Sequence, residues 1–495
     1  MRKVIVVGAG PAGLAAAESL LHRGKGKVDV TVLTLEPYLG GSAASFTTSD
    51  GRVVEQGQHI MAGFYRELGR LLKRAGVPKE ETTVSNRGHM RVWEDRDQQT
   101  HDLHFGASSV GALFDGLRYS GLGFGEKLGF GSFMARMIAR VMGGVPEAWD
   151  DVCLSALCLE LGCPASLVAT NLFRCSREAQ FNYPGEISAY SVMHTLRELA
   201  RDYSTSEVRF PAGSMSDIWW EPIGRRIEAL GGRILRGWRL VKLQHDGQRL
   251  TGLVCDQIDQ RSLPEGFLEP PFRIVPGSRR VWTDFDEVVL AIPAGSMQRV
   301  LKYDPVLRDM PGLAGVARLT TVAPMGLHVW HRQAVTRGPR TLVAGLLPPM
   351  AIALDNKPFN PAYRDNPAFG SVLHFVGQET GFEDWTDEEL LHRAIRGIQR
   401  VDGYEGIDLE GVLTYKLVRD RAPHRRYWLS EPGSLKHKPQ PVTPLVGMTM
   451  AGDWVRSKAD FPCMETAVRS GLHAADIVLK APTRQRHAAL AGRAA

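Results

Sequence analysis

The stretch "KVIVVGAGPAGLAAAESLLHRG", residues 3–24, constrains this chain more than any other. A continuous apolar run ends at Gly8-x-Gly10-x-x-Gly13, and an Ala- and Leu-rich run follows. That order reads as strand, tight turn and helix. Gly8 permits the turn, Gly10 lets the backbone approach a pyrophosphate, and Gly13 lets the helix close on the strand. The helix N-terminus then faces negative phosphates. The glycine spacing alone is a weak signal, but a second apolar run, "VDVTVLTL", answers the first. The pattern predicts dinucleotide binding along Gly8, Ala9, Gly10, Pro11, Ala12 and Gly13. The alternative is a glycine-rich turn in another α/β fold.

An acid at the end of the second strand should hold the ribose hydroxyls. Thr34 stands at the usual place, and Glu36 comes two residues later. The two share strand parity and can point the same way. Glu36 is the candidate; the alternative is a surface carboxylate before Pro37.

With 495 residues, the chain implies two or three lobes rather than one core. The net charge of +6 suits an anionic cofactor or an anionic membrane surface. It is too diffuse for nucleic acid, because no basic stripe with interleaved aromatics occurs. The six cysteines form no CxxC pair, and Cys153, Cys158 and Cys163 lie five apart. That spacing fits no metal site and suggests reduced core thiols in a cytoplasmic protein. The apolar run at the start is too short for a secretory leader, and no stretch of about 18 apolar residues spans a bilayer.

Beyond the first strand-turn-helix, four stretches carry a resemblance. Gly40-Gly41-Ser42 follows the second strand directly. "TMAGDWVRSKADFPCMETAVRSGLHAADIVL" has a strand ending in Ala451-Gly452-Asp453 and a helix from Met464. "IEALGGRILRGWRLVKLQHDGQRLTGLVC" reads as helix, turn and paired strands, and "FDEVVLAIPAG" as a returning buried strand. Together these resemble the FAD-dependent amine oxidase-like flavoproteins.

The resemblance implies an α/β fold of the two-dinucleotide-binding-domain type. A Rossmann-like FAD domain would carry an inserted substrate domain of helices and antiparallel sheet. The expected division is 1–80, 231–300 and 441–482 for the FAD domain. Residues 81–230 would form a mainly helical substrate lobe, 301–440 a substrate domain with antiparallel sheet, and 483–495 a flexible tail. By resemblance, Gly40, Gly41 and Ser42 approach the diphosphate, the Leu240 backbone holds adenine, and Gly452, Asp453 and Met464 meet the ribityl and flavin end. An arginine usually follows the glycine pair, so Ser42 removes one charged phosphate contact. FAD is expected to be non-covalent, with Cys463 the one thiol near the flavin position.

"EQGQHIMAGFYRELGRLLKRAGV" narrows the branch. It resembles hydroxysqualene dehydroxylases and plant-type phytoene and ζ-carotene desaturases, with Gly57, His59, Gly63 and Tyr65 at matching places. In those folds this segment runs under the flavin edge. Gly57, Gln58 and His59 are therefore cofactor-binding candidates, and His59 is the one catalytic candidate. The alternative is a buried, satisfied histidine. The implied activity is hydride transfer at flavin N5 from or to a polyisoprenoid, as desaturase or dehydroxylase, with quinone or oxygen as electron acceptor.

A second reading is an amine oxidase-like enzyme acting on a C–N or activated C–C bond. Cys463 and Asp460 stand where that group carries its aromatic cage. A third is a flavoprotein that has lost its chemistry, which the departures at Thr34 and Ser42 leave open. Residues 113–145 interleave Phe, Leu, Met and Gly with Arg118, Lys127, Arg136 and Arg140. They read as a peripheral membrane wedge, with Phe130 and Phe133 as the inserting aromatics, or as a lid or core. Residues 256–280 read as an elaborated loop, 311–425 as sheet, and "TDEELLHRAIRGIQR" as a capped amphipathic helix.

Overall fold

The computed structural model describes residues 1–480 except 87, 105–118, 179, 183–185, 202–207, 260–267, 269, 339 and 458–459. The tail 483–495, Arg118, and the centre of the 256–280 loop lie outside the described residues.

Five parallel strands form the central sheet. Strand β1 (Arg2–Val7) pairs with β2 (Val28–Thr34) on one side and Glu287–Leu290 on the other. Arg233–Arg236 extends the β2 edge and Met448–Met450 the opposite one. Val4 to Val7 are buried on both faces: Val4 and Val6 pack into the helical layer, Ile5 and Val7 against the antiparallel strands Trp238–His245 and Leu250–Gln257. Helix α1 (Pro11–Gly24) packs on one face together with Met464–Lys480. Gly471 makes that contact close: a Cβ there would sit 2.0 Å from the Ala12 carbonyl oxygen.

Buried carboxylates tie this layer together. Glu465 accepts hydrogen bonds from the backbone amides of Glu67 and Leu68, both 3.0 Å, and so caps helix α2 (Arg66–Arg74). We expect Glu465→Ala to cost about 1–3 kcal/mol by leaving those two amides unpaired. Chemical denaturation checks this, with faster amide exchange at Leu68 as the local signature.

A seven-stranded sheet faces the parallel one. Its order is 412–419, 324–331, 371–378, 350–355, 342–344, 89–94, 99–104. The pairings are antiparallel except that of 342–344 with 89–94. The capped helix is present as Asp387–Ile398, with Thr386 and Glu389 closing a capping box.

One part of the 81–230 reading needs correction. His89–Glu94 and Gln99–His104 are strands of this sheet, and Val208–Pro211 pairs with Met61–Ala62 and Thr83–Ser85. In "HMRVWE", Val and Trp supply β-forming shape, and the strand is buried along most of its length. The helical signal comes from the residues that follow. Phe124–Gly143, Leu154–Glu160 and Ala189–Arg201 pack around Phe133, Met137, Leu157 and Met193.

Candidate active site

The parallel strands all end at one edge of the sheet. Val7 leads into Gly8, Thr34 towards Glu36, Leu290 into Ala291, and Met450 towards Gly452. Ligands of open α/β sheets bind outside such strand ends. A cavity of about 740 Å³ opens there and runs on to the underside of the seven-stranded sheet.

Fifteen of the seventeen sequence candidates line it. They are Gly8, Ala9, Gly10, Pro11, Ala12, Glu36, Gly41, Ser42, Gly57, Gln58, His59, Leu240, Gly452, Asp453 and Met464. Gly13 and Gly40 are not in the wall. Gly13 stands behind it, where a Cβ would come 1.9 Å from the Gly8 carbonyl oxygen. Gly40, at φ +117°, abuts the Trp220 indole and donates its amide to Ala9. Both glycines shape the cradle from outside the cavity.

Gly10 differs from them. A Cβ at Gly10 would meet nothing closer than 3.8 Å, because its α-carbon faces the open cavity. The wall there has the backbone relief that a diphosphate needs, which is the fit test for a dinucleotide. Leu240 lines the cavity, and its carbonyl already accepts from Arg299 at 2.7 Å. Glu36 is buried and engaged: His424 lies 3.1 Å and Arg425 3.3 Å from one oxygen, and the Leu268 amide 3.3 Å from the other. Asp453 is pushed up to about 6 by burial, and the Lys438 ammonium pulls it back only in part.

At the far end, His59 presents its ring to the cavity. Its Nδ1 lies 2.7 Å from the Gly57 carbonyl. Burial lowers its pKa to about 4, so the ring is neutral. A neutral ring beside a carbonyl carries its proton on Nδ1, which leaves Nε2 as an acceptor. Gln58 also lines a second, small cavity of about 20 Å³ beside Glu55. Gln58 Oε1 lies 2.9 Å from His374 Nδ1. Burial pushes Glu55 up to about 8 and lowers His328 to about 4. This layer is therefore uncharged.

Sequence reasoning missed several wall residues. Arg299, Asp420, His424, Arg425, Trp428 and Cys463 come from segments far apart in the chain. Of these, only Cys463 was placed near the flavin. Asp420 and Arg425 lie in "VRDRAPHRR", which carries no motif. Cys463 has its thiol pushed up to about 12 by burial, so it is no nucleophile.

Residues 11–479 match the family described as flavin containing amine oxidoreductase. The chain belongs to that family. It is an FAD-dependent oxidoreductase. The chain is 23% identical to the 15-cis-phytoene desaturase of Synechococcus elongatus over 493 residues, 96% of each protein. It is 32% identical to the zeta-carotene desaturase of Arabidopsis thaliana over 116 residues, 23% of this chain and 20% of that one. Among solved structures, putrescine oxidase bound to putrescine superposes with a TM-score of 0.66 at 15% identity, covering 97% of this chain and 99% of that one. Cyclohexylamine oxidase from Brevibacterium oxydans gives 0.63 at 15%, covering 96% and 98%. These structures share the flavin oxidoreductase fold. Among the described residues, no helix is long and apolar enough to cross a membrane, and no cluster suited to a metal occurs.

Proposed function

We propose that the chain acts on an apolar, polyisoprenoid-type substrate, as a desaturase or dehydroxylase, with FAD held non-covalently in the cavity. The apolar far end carries this reading. Ile60, Phe181, Pro324, Ile352 and Val376 line the same cavity as Gln58 and His59. Such walls suit a hydrocarbon and exclude water. When bound, FAD supplies the hydride acceptor or donor. The wall residues hold the reacting carbon close, and His59 Nε2 offers a weak acceptor for a proton. For desaturation, quinone or oxygen would take the electrons off the reduced cofactor; dehydroxylation would instead need an external reductant to restore the reduced form.

Anaerobic mixing with 15-cis-phytoene and with a hydroxysqualene, both in vesicles, tests the reading. Flavin bleaching by the first supports desaturation; reoxidation of reduced enzyme by the second supports dehydroxylation. The competing reading is amine oxidation, favoured by the amines that the superposed oxidases are named for. At the cage position, however, stands Cys463, and Asp460 is buried in an ion pair with Lys438. Bleaching by simple amines alone would replace our reading. Acid precipitation should leave the flavin in the supernatant; yellow in the pellet would show a covalent link.

Asp453→Ala should weaken FAD binding more than Glu36→Ala. Removing an accepting carboxylate costs about 1–3 kcal/mol; Asp453 is half-buried on the cavity wall, whereas Glu36 already shares its oxygens with three wall partners. Titration of apoprotein with FAD checks the ranking, and equal dissociation constants would defeat it.

The membrane wedge is relocated. Phe133 is buried in the helical lobe and Phe130 packs against the same cluster, so neither is a surface anchor. Phe124 and Leu128, one helical turn apart, are 78% and 57% exposed instead. We therefore place peripheral docking on an anionic bilayer at that end of the helix, beside Lys127. Flotation with anionic vesicles should succeed at low salt, fail at high salt, and be lost in Phe124→Glu/Leu128→Glu. Charging Phe133 should unfold the lobe. Wild-type protein remaining in the soluble fraction at low salt would end the docking proposal.

A further inference from the structure

Three charged residues missed or only half explained by sequence stand in one row on the cavity wall. Arg425 lies at its centre, 4% exposed at its side chain. Its Nη1 is 3.3 Å from Glu36, and its Nε is 2.7 Å from Asp420. All three line the cavity. The order along the wall is carboxylate, guanidinium, carboxylate.

Asp420 is the informative member. It is 1% exposed, and its backbone N–H donates a 3.0 Å hydrogen bond to the Pro324 carbonyl oxygen. One carboxyl oxygen takes the Arg425 Nε–H; the other, Oδ2, is buried without a well-formed hydrogen bond, the Gln56 side chain being near enough only to favour the charged form. Burial pushes the group up to about 6, Arg425 and Gln56 pull it back, and Glu36 opposes them. The titratable groups facing it are thus Arg425 and Glu36, with His424 beyond Glu36. An unpaired buried acceptor is costly unless something donates to it. In a ligand cavity that donor belongs to the ligand.

A dinucleotide flavin offers the matching order: ribose hydroxyls, diphosphate, ribityl hydroxyls. We propose that Glu36, Arg425 and Asp420 form a clamp on this polar backbone. Glu36 takes the ribose, Arg425 the diphosphate, and Asp420 a ribityl hydroxyl. Glu36 belongs to the ribose end because it follows β2. Asp420 lies on the other side of the guanidinium, next to Gln56, which leads into Gly57 and His59. The clamp also supplies from residue 425 the cation that Ser42 lacks. It rests on the reading of this cavity as the FAD site.

The experiment measures binding of FAD and of ADP, which lacks the ribityl chain, to deflavinated protein. Asp420→Asn should raise the FAD dissociation constant about 10- to 100-fold and leave that of ADP unchanged. Arg425→Gln should weaken both ligands and flatten their salt dependence. Unchanged FAD affinity in Asp420→Asn overturns the clamp, as does equal weakening of FAD and ADP. If circular dichroism shows that Asp420→Asn does not fold, Asp420→Ser is judged by the same two ligands. Gly10→Val separates the two levels. If it keeps FAD, the cavity assignment itself fails; if it loses FAD while Asp420→Asn does not, only the clamp fails.

Discussion

Gly10→Val yields a folded, colourless protein, with FAD affinity lowered by at least about 100-fold, the scale of lost close approach to a diphosphate. The reason is where the new side chain goes. Around Gly10 the nearest atoms to a Cβ are the Gly40 carbonyl oxygen at 3.8 Å and the Gly41 α-carbon at 3.9 Å. The protein tolerates the added volume, because it projects into the cavity that the diphosphate needs. Gly13→Ala behaves in the opposite way. Its Cβ would lie 1.9 Å from the Gly8 carbonyl and 3.3 Å from the Ala291 side chain, so helix and strand must separate. That variant loses stability first and flavin only as a consequence. Thermal melts of the two apoproteins together with flavin absorbance distinguish them. A yellow Gly10→Val protein would show that the dinucleotide lies elsewhere.

Glu18→Gln should cost about 3–5 kcal/mol, the range for breaking a buried ion pair on one side. Glu18 is fully buried in α1. Arg74 donates to it twice, at 3.0 and 2.9 Å, and Arg226 once at 2.8 Å. These bonds join α1 to α2 and to the helix Glu221–Ala229. The amide keeps the shape but cannot balance two guanidiniums. Burial opposes ionisation of Glu18, yet the two arginines overcome it, and its pKa lies below the usual carboxylate value. The sign follows. This stabilisation is complete above the unfolded carboxyl pKa and is lost as pH falls through the lower folded value. Wild type should therefore lose stability over that acid range, whereas Glu18→Gln should be flatter there. Urea titrations across the acid range measure both, and parallel pH profiles would remove Glu18 from this role.

Much of the cofactor cradle was legible because it is local. Gly8 to Gly13 act within one turn, and Gly452 to Met464 within one strand-to-helix connection. Their spacing on the chain is their spacing in space. Glu36, chosen as the first acid after β2 and for its strand parity with Thr34, does line the cavity. Phe130 and Phe133 were misjudged for the complementary reason. Both belong to an apolar run, and the run does not say which of its residues meet Met193 and Leu157 from other helices. The strands of 89–104 form a local hairpin, but what joins it to the seven-stranded sheet is the pairing of His89–Glu94 with Leu342–Ala344, some 250 residues later. Asp420 and Arg425 carried no motif: they pair with each other five residues apart, but only the distant Glu36 ties that pair to the cavity wall.

The sequence by itself determined the parallel nucleotide-binding sheet, the glycine cradle and the flavin family, since backbone conformation and strand period are properties of short segments. Only the tertiary structure decided which polar side chains converge on the cavity wall, which aromatics are core and which are surface, and that His59 is neutral. Those depend on burial and on charges brought together through space. Desolvation and Coulomb interactions act over a few ångströms whatever the separation along the chain.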